Sequence, residues 1–340
     1  MDHVTYLFGA GASFKALPLN NKSLEELGYI ITKGKEFLNN SQDQNYLNNF
    51  LNWYSPILEE AKAEVSLDTL AMININNREK LNRIKTLIWL YFSAKAGQNK
   101  LDSRYKNLLV KLRDDNTKNF RVNDNCSFLS WNYDLQLEEA YATLATTDIW
   151  EVPKHLYSYP GIHFVNPDAI KRNSSPKSFQ MIHLNGCAGY YKGVNSDSYK
   201  SWYNCDFDKI EDYDRMINLI SQEFHTNNNN PLHRCINFAR ENNEDNKFKN
   251  DQIKLIAEKT THLVIIGYSF PDFNKLTDRH IIDNMKNLKE ILIQDLEAVS
   301  RKEKLLQMFP QLNNNINTSY INIVLDDKCQ EFQLPYGVFQ

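Results

Sequence analysis

The sequence predicts an α/β protein built on a parallel β-sheet with helices on both faces. It also predicts a large helical insertion after the first strand and a second, irregular insertion further on. Three observations support this. Short runs of β-branched and aromatic residues recur along the chain and end in Gly, Asn, Asp or His. Most of these runs are near-continuously apolar rather than alternating, the pattern of strands buried on both faces. Helical periodicity fills the stretches between them, so parallel strands joined by crossover helices are the economical arrangement.

The first expected strand, Val4–Phe8, runs into Gly9-Ala10-Gly11-Ala12-Ser13, and the second, Ser127–Trp131, into Asn132-Tyr133-Asp134. Phe179–Leu184 leads to Asn185-Gly186, and Leu263–Ile266 to Gly267-Tyr268-Ser269-Phe270. Glu290–Gln294 meets Asp295, and Tyr320–Leu325 meets a pair of aspartates. Helix signals are strongest between residues 23 and 113. Ser23-Leu24-Glu25-Glu26 reads as a capping box, with Leu24, Leu27, Ile30 and Ile31 following at helical spacing. Leu81, Ile84, Leu87, Ile88, Tyr91 and Phe92 make a second apolar stripe, and Tyr105, Leu108, Leu109 and Leu112 a third. So long a stretch between two strands is more than a simple crossover and reads as a helical insertion or cap. The region 187–250 is rich in Asn, Asp and Tyr, and its tetrad Asn227-Asn228-Asn229-Asn230 reads as a flexible surface loop. The expected organisation is a sheet core from 1–15, 121–186 and 251–340, a helical insertion over 16–120 and a variable insertion over 187–250.

Composition narrows the function classes. At 340 residues the chain is long enough for two domains, or one with insertions, and 42% hydrophobic against 24% charged residues is ordinary for a globular protein. Thirty-nine basic against 42 acidic side chains leave a net charge of −3, with no basic stripe, so direct nucleic-acid binding is not expected. Apolar stretches such as Leu263–Gly267 fall far short of the ~20 residues of a membrane helix, and Met1–Phe8 lacks the pattern of a signal peptide. The five cysteines, at 126, 187, 205, 235 and 329, form no CxxC and support neither a disulfide framework nor a zinc site. The expectation is a soluble, cytoplasmic protein with no metal and no membrane partner.

A strand running into Gly9-x-Gly11-x-Ser13 makes the expected core Rossmann-like. Glycines there let backbone N–H groups approach a phosphate, and Ser13 adds a hydroxyl. Phe14 stands where the common dinucleotide fingerprint wants a small residue, so an ordinary dehydrogenase fits poorly. A tight βα turn that needs glycine is the plain alternative. Asn132 and Asp134, two apart beyond a strand, can point the same way into a ligand crevice. Asp134 is equally placed to cap the helix starting near Leu135. Alternation puts His183 and Asn185 on one strand face, about 6.6 Å apart, and Leu184 on the other.

Taken in order, Gly-Ala-Gly-Ala-Ser, Trp-Asn-Tyr-Asp, His-Leu-Asn-Gly and Ile-Gly-Tyr-Ser-Phe-Pro resemble the sirtuin superfamily. Within it, the set looks like the bacterial sirtuin-like NAD hydrolases that act as effectors in anti-phage defence. The resemblance implies that Gly9, Ala10, Gly11 and Ser13 hold the pyrophosphate, with Pro18 in the loop that follows. It puts Asn132 and Asp134 beside nicotinamide and its ribose, makes His183 the general base, and turns Gly267 and Ser269 to the dinucleotide. Gln294-Asp295 matches the place that often meets the adenosine ribose. Two departures stand out. No four-cysteine zinc ribbon follows the histidine, which removes the support for protein deacylation. The residue directly before the glycine, a histidine in sirtuins, is Asn185 here, with His183 two places earlier.

The implied reaction is hydrolysis of NAD, the substrate, to nicotinamide and ADP-ribose, with Asn132, His183 and Asp134 catalytic. Such an enzyme depletes NAD in abortive infection and must be held inactive until triggered. The resemblance therefore implies a homo-oligomer, and a regulatory or sensor protein such as a HerA-type translocase or a nucleotide-processing enzyme. The chain ends soon after the last expected strand, so sensing is expected in trans. Two rival readings keep the same residues: a non-catalytic subunit that binds NAD or a related nucleotide, and an ADP-ribosyltransferase.

Overall fold

The structure is a computed structural model, and it describes residues 2–18, 21–37, 44–64, 66–96, 101–161, 179–192, 199–201, 236–312 and 321–338. Its centre is a seven-stranded, all-parallel sheet of β1 (Val4–Phe8), β2 (Cys126–Ser130), β3 (Ser158–Tyr159), β4 (Met181–His183), β7 (His262–Ile266), β8 (Glu290–Gln294) and β9 (Asn322–Asp326). A separate antiparallel pair, β5 (Tyr190–Lys192) and β6 (Tyr199–Ser201), lies in the variable insertion. The spatial order is β3-β4-β2-β1-β7-β8-β9. From β1 the chain builds one side, with β3 at the edge and β4 inserted between it and β2, then returns to β7 on the other side of β1 and builds the opposite way. That reversal is the place where open α/β sheets leave a crevice beyond their carboxyl ends.

The near-continuous apolar strands divide their side chains between two cores. Leu7, Leu129, Leu263, Ile265, Ile291 and Ile293 face one layer, formed by α8 (Glu244–Lys259), α9 (Lys275–Ile282) and α10 (Ala298–Met308). Val4, Tyr6, Phe8, Phe128, Val264 and Leu292 face the other, formed by α5 (Ser103–Lys111) and α6 (Gln136–Ala145). The expected parallel sheet with helices on both faces is what the chain forms.

A third core lies apart from the sheet. It joins α1 (Asn21–Phe37), α2 (Gln44–Ala63), α3 (Leu67–Ile73) and α4 (Arg78–Ala96) through Leu27, Tyr54, Ala61, Leu70, Ile84 and Trp89. The short helix α7 (Val152–His155) precedes β3. Tyr133, Ala188, Ile236 and Phe238 join the helical cluster, so this layer is packed onto the strand ends. A part-buried ion pair, Lys85 of α4 with Glu241 at 2.7 Å, adds a second tie between the helical layer and the segment before α8.

Several details differ from expectation. The Ser23 capping box does not cap, because α1 already begins at Asn21 and Ser23 is its third residue. The third stripe, Tyr105 to Leu112, packs on the sheet with Phe8 and Phe128 rather than with the four helices of the cap. Hydrogen-bond register moves strand limits by one or two residues: β2 is Cys126–Ser130, β4 shrinks to three residues and β9 ends at Asp326. The side chains of Ile30 and Ile31, the Asn227–Asn230 tetrad, Cys205 and Cys235 lie outside the described residues. Cys126, Cys187 and Cys329 are buried.

Candidate active site

The sheet register brings the loops of the site to one rim. Phe8 pairs with Ser130 on one side and Ile266 on the other, Ser130 with His183, and Ile266 with Gln294. Gly9, Trp131, Leu184, Gly267 and Asp295 therefore leave the sheet at one level. A cavity of about 620 Å³ opens there, roofed by α1, α3 and α4. That size is ordinary for a small-molecule or cofactor site.

Ala10, Gly11, Ser13 and Pro18 line the cavity from the first strand end, and Asn132 and Asp134 from the second. Asn185, Gly267, Ser269 and Asp295 line it from three further strand ends. Gly9 does not line it. His183 does not either, although its neighbours do.

The glycines have a local reason. The Gly9 N–H donates to Ile266 O and the Gly11 N–H to Gly267 O, both at 2.9 Å, and Ala12 N–H returns to Gly9 O at 2.8 Å. A Cβ on Gly9 would sit 2.6 Å from the Tyr268 Cα, and one on Gly267 would sit 2.3 Å from the Gly11 carbonyl carbon. Gly267 also has φ +59°, a left-handed conformation. The β1 and β7 loops are thus in backbone contact, which accounts for the three glycines. The amides of Gly9 and Gly11 are used in that contact, and that of Ala12 closes the loop on Gly9.

Ser13 is the hub of the polar floor. Its hydroxyl lies 2.9 Å from the Tyr105 hydroxyl, and Asn132 Nδ2 donates to it at 3.3 Å. Asn132 is only 7% exposed. Asp134 accepts the Gln136 N–H at 3.1 Å, so the carboxylate closes the first turn of α6 even though Leu135 is the formal cap. Burial raises the Asp134 pKa to about 6, with the Gln136 N–H and the Ser13 hydroxyl opposing. Opposite this floor, the indole of Trp131 stacks on Tyr268 at 5.9 Å. Phe270 beside it is held at φ +52°, an uncommon conformation for an aromatic residue.

His183 is 1% exposed and committed to protein partners. Its Nδ1 lies 3.1 Å from the Asn132 backbone oxygen and its Nε2 2.7 Å from Glu138 Oε1. A carbonyl and a carboxylate can only accept, so both ring nitrogens donate and no lone pair is left. Burial lowers the pKa of this histidine, but the Glu138 charge and hydrogen bond outweigh it and the net direction is upward. The expected general base is therefore held behind the cavity wall as a cationic support for the Asn132 backbone. The expected alternation that puts His183 and Asn185 on one strand face does not hold: β4 ends at His183, Asn185 lies in the turn that follows, and only Asn185 reaches the cavity.

The rim carries charge of both signs. Arg104 forks onto Asp102, donates to Ala12 O at 2.7 Å and Cys329 O at 3.2 Å, and lies between the rings of Phe14 and Phe332. It thus ties α5 and the chain end to the glycine loop. Asp295 accepts the Glu297 N–H at 2.9 Å and pairs with Arg301 at 3.4 Å. Gln294 spends its side chain on Asp326, Glu331 and Gln333, anchoring the tail.

Sequence reasoning missed the contribution of the helical layer. Asp68, in the first turn of α3, lines the cavity and accepts a hydrogen bond from the Tyr133 hydroxyl at 2.5 Å. Nothing in its local sequence marks it, since it stands at no strand end. Tyr133 was visible within the Trp-Asn-Tyr-Asp motif, and only packing shows that it turns toward the cap. Among the described residues no group of three or more His, Cys, Asp or Glu side chains is arranged to hold a metal, and no helix is long and apolar enough to cross a membrane. No protein-family model matches this chain, and no curated protein matches it.

Proposed function

We propose that this chain is an NAD glycohydrolase that breaks the nicotinamide–ribose bond with water, giving nicotinamide and ADP-ribose. The observation that supports it best is the convergence of four motif-bearing strand ends on one roofed cavity of about 620 Å³. The order of those motifs resembles sirtuin-like NAD hydrolases, and the cavity sits where a doubly wound sheet receives a dinucleotide.

In this reading the glycine loop and Ser13 face the pyrophosphate, Gly267 and Ser269 border the dinucleotide, and Asp295 takes the adenosine ribose. Asn132, with donor and acceptor on one amide, hydrogen-bonds the nicotinamide ribose or the incoming water. Asp134 complements the positive charge that develops at the ribose as the pyridine leaves. The leaving group is a neutral pyridine and needs no acid. His183 positions the Asn132 backbone. The biological role is NAD depletion in anti-phage abortive infection by a cytoplasmic homo-oligomer, released by a partner supplied in trans; its support is the resemblance.

The withdrawal of His183 from the cavity favours one rival, a non-catalytic subunit that binds the nucleotide. Etheno-NAD fluorescence, read on the purified chain at high concentration beside ADP-ribose calorimetry, separates the two. Rising fluorescence with ADP-ribose binding is the expected result. Binding without cleavage selects the rival, and absence of binding removes both. Mass spectrometry for ADP-ribose retained on protein or nucleic acid tests the transferase reading.

A further inference from the structure

Hydrolysis needs a proton acceptor inside the cavity, and His183 is outside it with both nitrogens donating. Among the described residues that line the cavity there is no histidine, and the carboxylates are Asp68, Asp134, Asp295 and Glu297. Asp295 and Glu297 both pair with Arg301 beyond β8, at 3.4 and 2.8 Å. Asp134 closes α6 through the Gln136 N–H and lies against Ser13.

Asp68 is placed differently. Ala239 N–H donates to Asn185 Oδ1 at 3.0 Å, Asn185 Nδ2 donates to the Tyr133 hydroxyl oxygen at 3.3 Å, and that hydroxyl donates to Asp68 Oδ1. A relay that starts on the backbone thus fixes one oxygen of the carboxylate. The other oxygen takes no protein hydrogen bond among the described residues, in a side chain that lines the cavity. Asn185, which stands where sirtuins carry histidine, has no basic nitrogen but orients a group that can act as base.

We propose that Asp68, contributed by the helical layer, is the general base of NAD hydrolysis, oriented by Tyr133 and Asn185. This deepens the hydrolase reading and rests on it. The water oxygen bonds to the ribose anomeric carbon as the bond to the pyridinium nitrogen breaks, and that electron pair returns to the ring as neutral nicotinamide. The water proton passes to Asp68 and then to solvent. Burial raises the Asp68 pKa, with the Tyr133 hydrogen bond opposing, so the carboxylate is a stronger base than one in water. The site is complete only with the helical layer packed on the strand ends, which makes that packing a place for activation to act.

The test is Asp68→Asn, which keeps an acceptor for Tyr133 and removes the base. Cleavage of etheno-NAD is expected to fall ~10²-fold or more with ADP-ribose affinity within about threefold of wild type. Azide, a nucleophile with no proton to lose, is expected to restore cleavage and yield the azido-sugar nucleotide. Tyr133→Phe is expected to bind ADP-ribose normally and to shift the acid limb of the pH–rate profile. Full activity of Asp68→Asn, loss of ADP-ribose binding together with activity, or failure of azide to restore turnover each overturns the assignment. A wild-type chain that binds ADP-ribose and never cleaves NAD removes the hydrolase reading itself and the base with it.

Discussion

His183 holds Glu138 with one ring nitrogen, at 2.7 Å, and the backbone oxygen of Asn132 with the other, at 3.1 Å. The ring therefore couples the first turn of α6 to the end of β2 without touching the cavity. His183→Ala leaves the Glu138 carboxylate buried and unpaired, a change that typically removes about 3–5 kcal/mol. The expected result is a lower melting temperature together with weaker ADP-ribose binding. An unchanged melting temperature and affinity with a thousandfold slower turnover, the order expected of a lost base, would instead make His183 a proton carrier. The raised pKa adds a pH signature. Its stabilisation is complete below the unfolded value near 6.5 and is lost as pH rises through the raised folded value. Thermal scans of Glu138→Gln are expected to lack that slope.

Asn132→Ala removes the amide that reaches Ser13 and lines the cavity, where the proposed reaction needs it. NAD cleavage is expected to drop ~10²-fold or more, within the range of a lost catalytic hydrogen-bonding group. Because the backbone carbonyl that His183 supports is retained, far-UV circular dichroism and melting temperature are expected to stay close to wild type. Wild-type turnover in this variant would remove Asn132 from the mechanism.

Gly267→Ala forces a side chain into a left-handed residue and against the Gly11 backbone, 2.3 Å away. Both loops are anchored by hydrogen bonds to neighbouring strands, so neither can move aside cheaply. Urea unfolding is expected to show a loss of more than about 3 kcal/mol. Gly337→Ala, also at positive φ but with open space around it, is the comparison and is expected to lose much less.

Asp278 is buried under Tyr268, whose hydroxyl lies 2.8 and 3.0 Å from its two oxygens. Burial raises its pKa to about 8. The folded state thus holds a proton that the unfolded chain releases near pH 4, and stability falls as pH rises from about 4 to about 8. Asp278→Asn has no charge to bury. Its melting temperature relative to wild type is expected to increase between pH 5 and pH 8.5, and a constant difference would show that Asp278 is ionised throughout.

Much of the sheet is legible in the sequence because a strand buried on both faces needs an unbroken apolar run, and Val4–Phe8 or Glu290–Gln294 has few other uses. β3, two residues long, and the β5–β6 pair carry too little pattern to read. The Ser23 capping box misleads because its residues also suit a helix interior, and the signal does not say where the previous turn stops. Tyr105 and Leu108 show a helical stripe but not its partner, so only packing assigns α5 to the sheet.

The same division holds for the cavity. Sequence alone determined which strand ends carry Gly, Asn, Asp and Ser, since those residues are out of place in apolar runs unless the chain turns or meets a ligand there. Tertiary structure alone decided which of them face one space. A three-residue β4 followed by a turn sends Asn185 inward and leaves His183 to Glu138. The helical layer brings Asp68 to Tyr133 across 65 positions of chain. Local pattern encodes the direction of a side chain from its own strand, whereas contact between distant segments depends on packing that no short stretch contains.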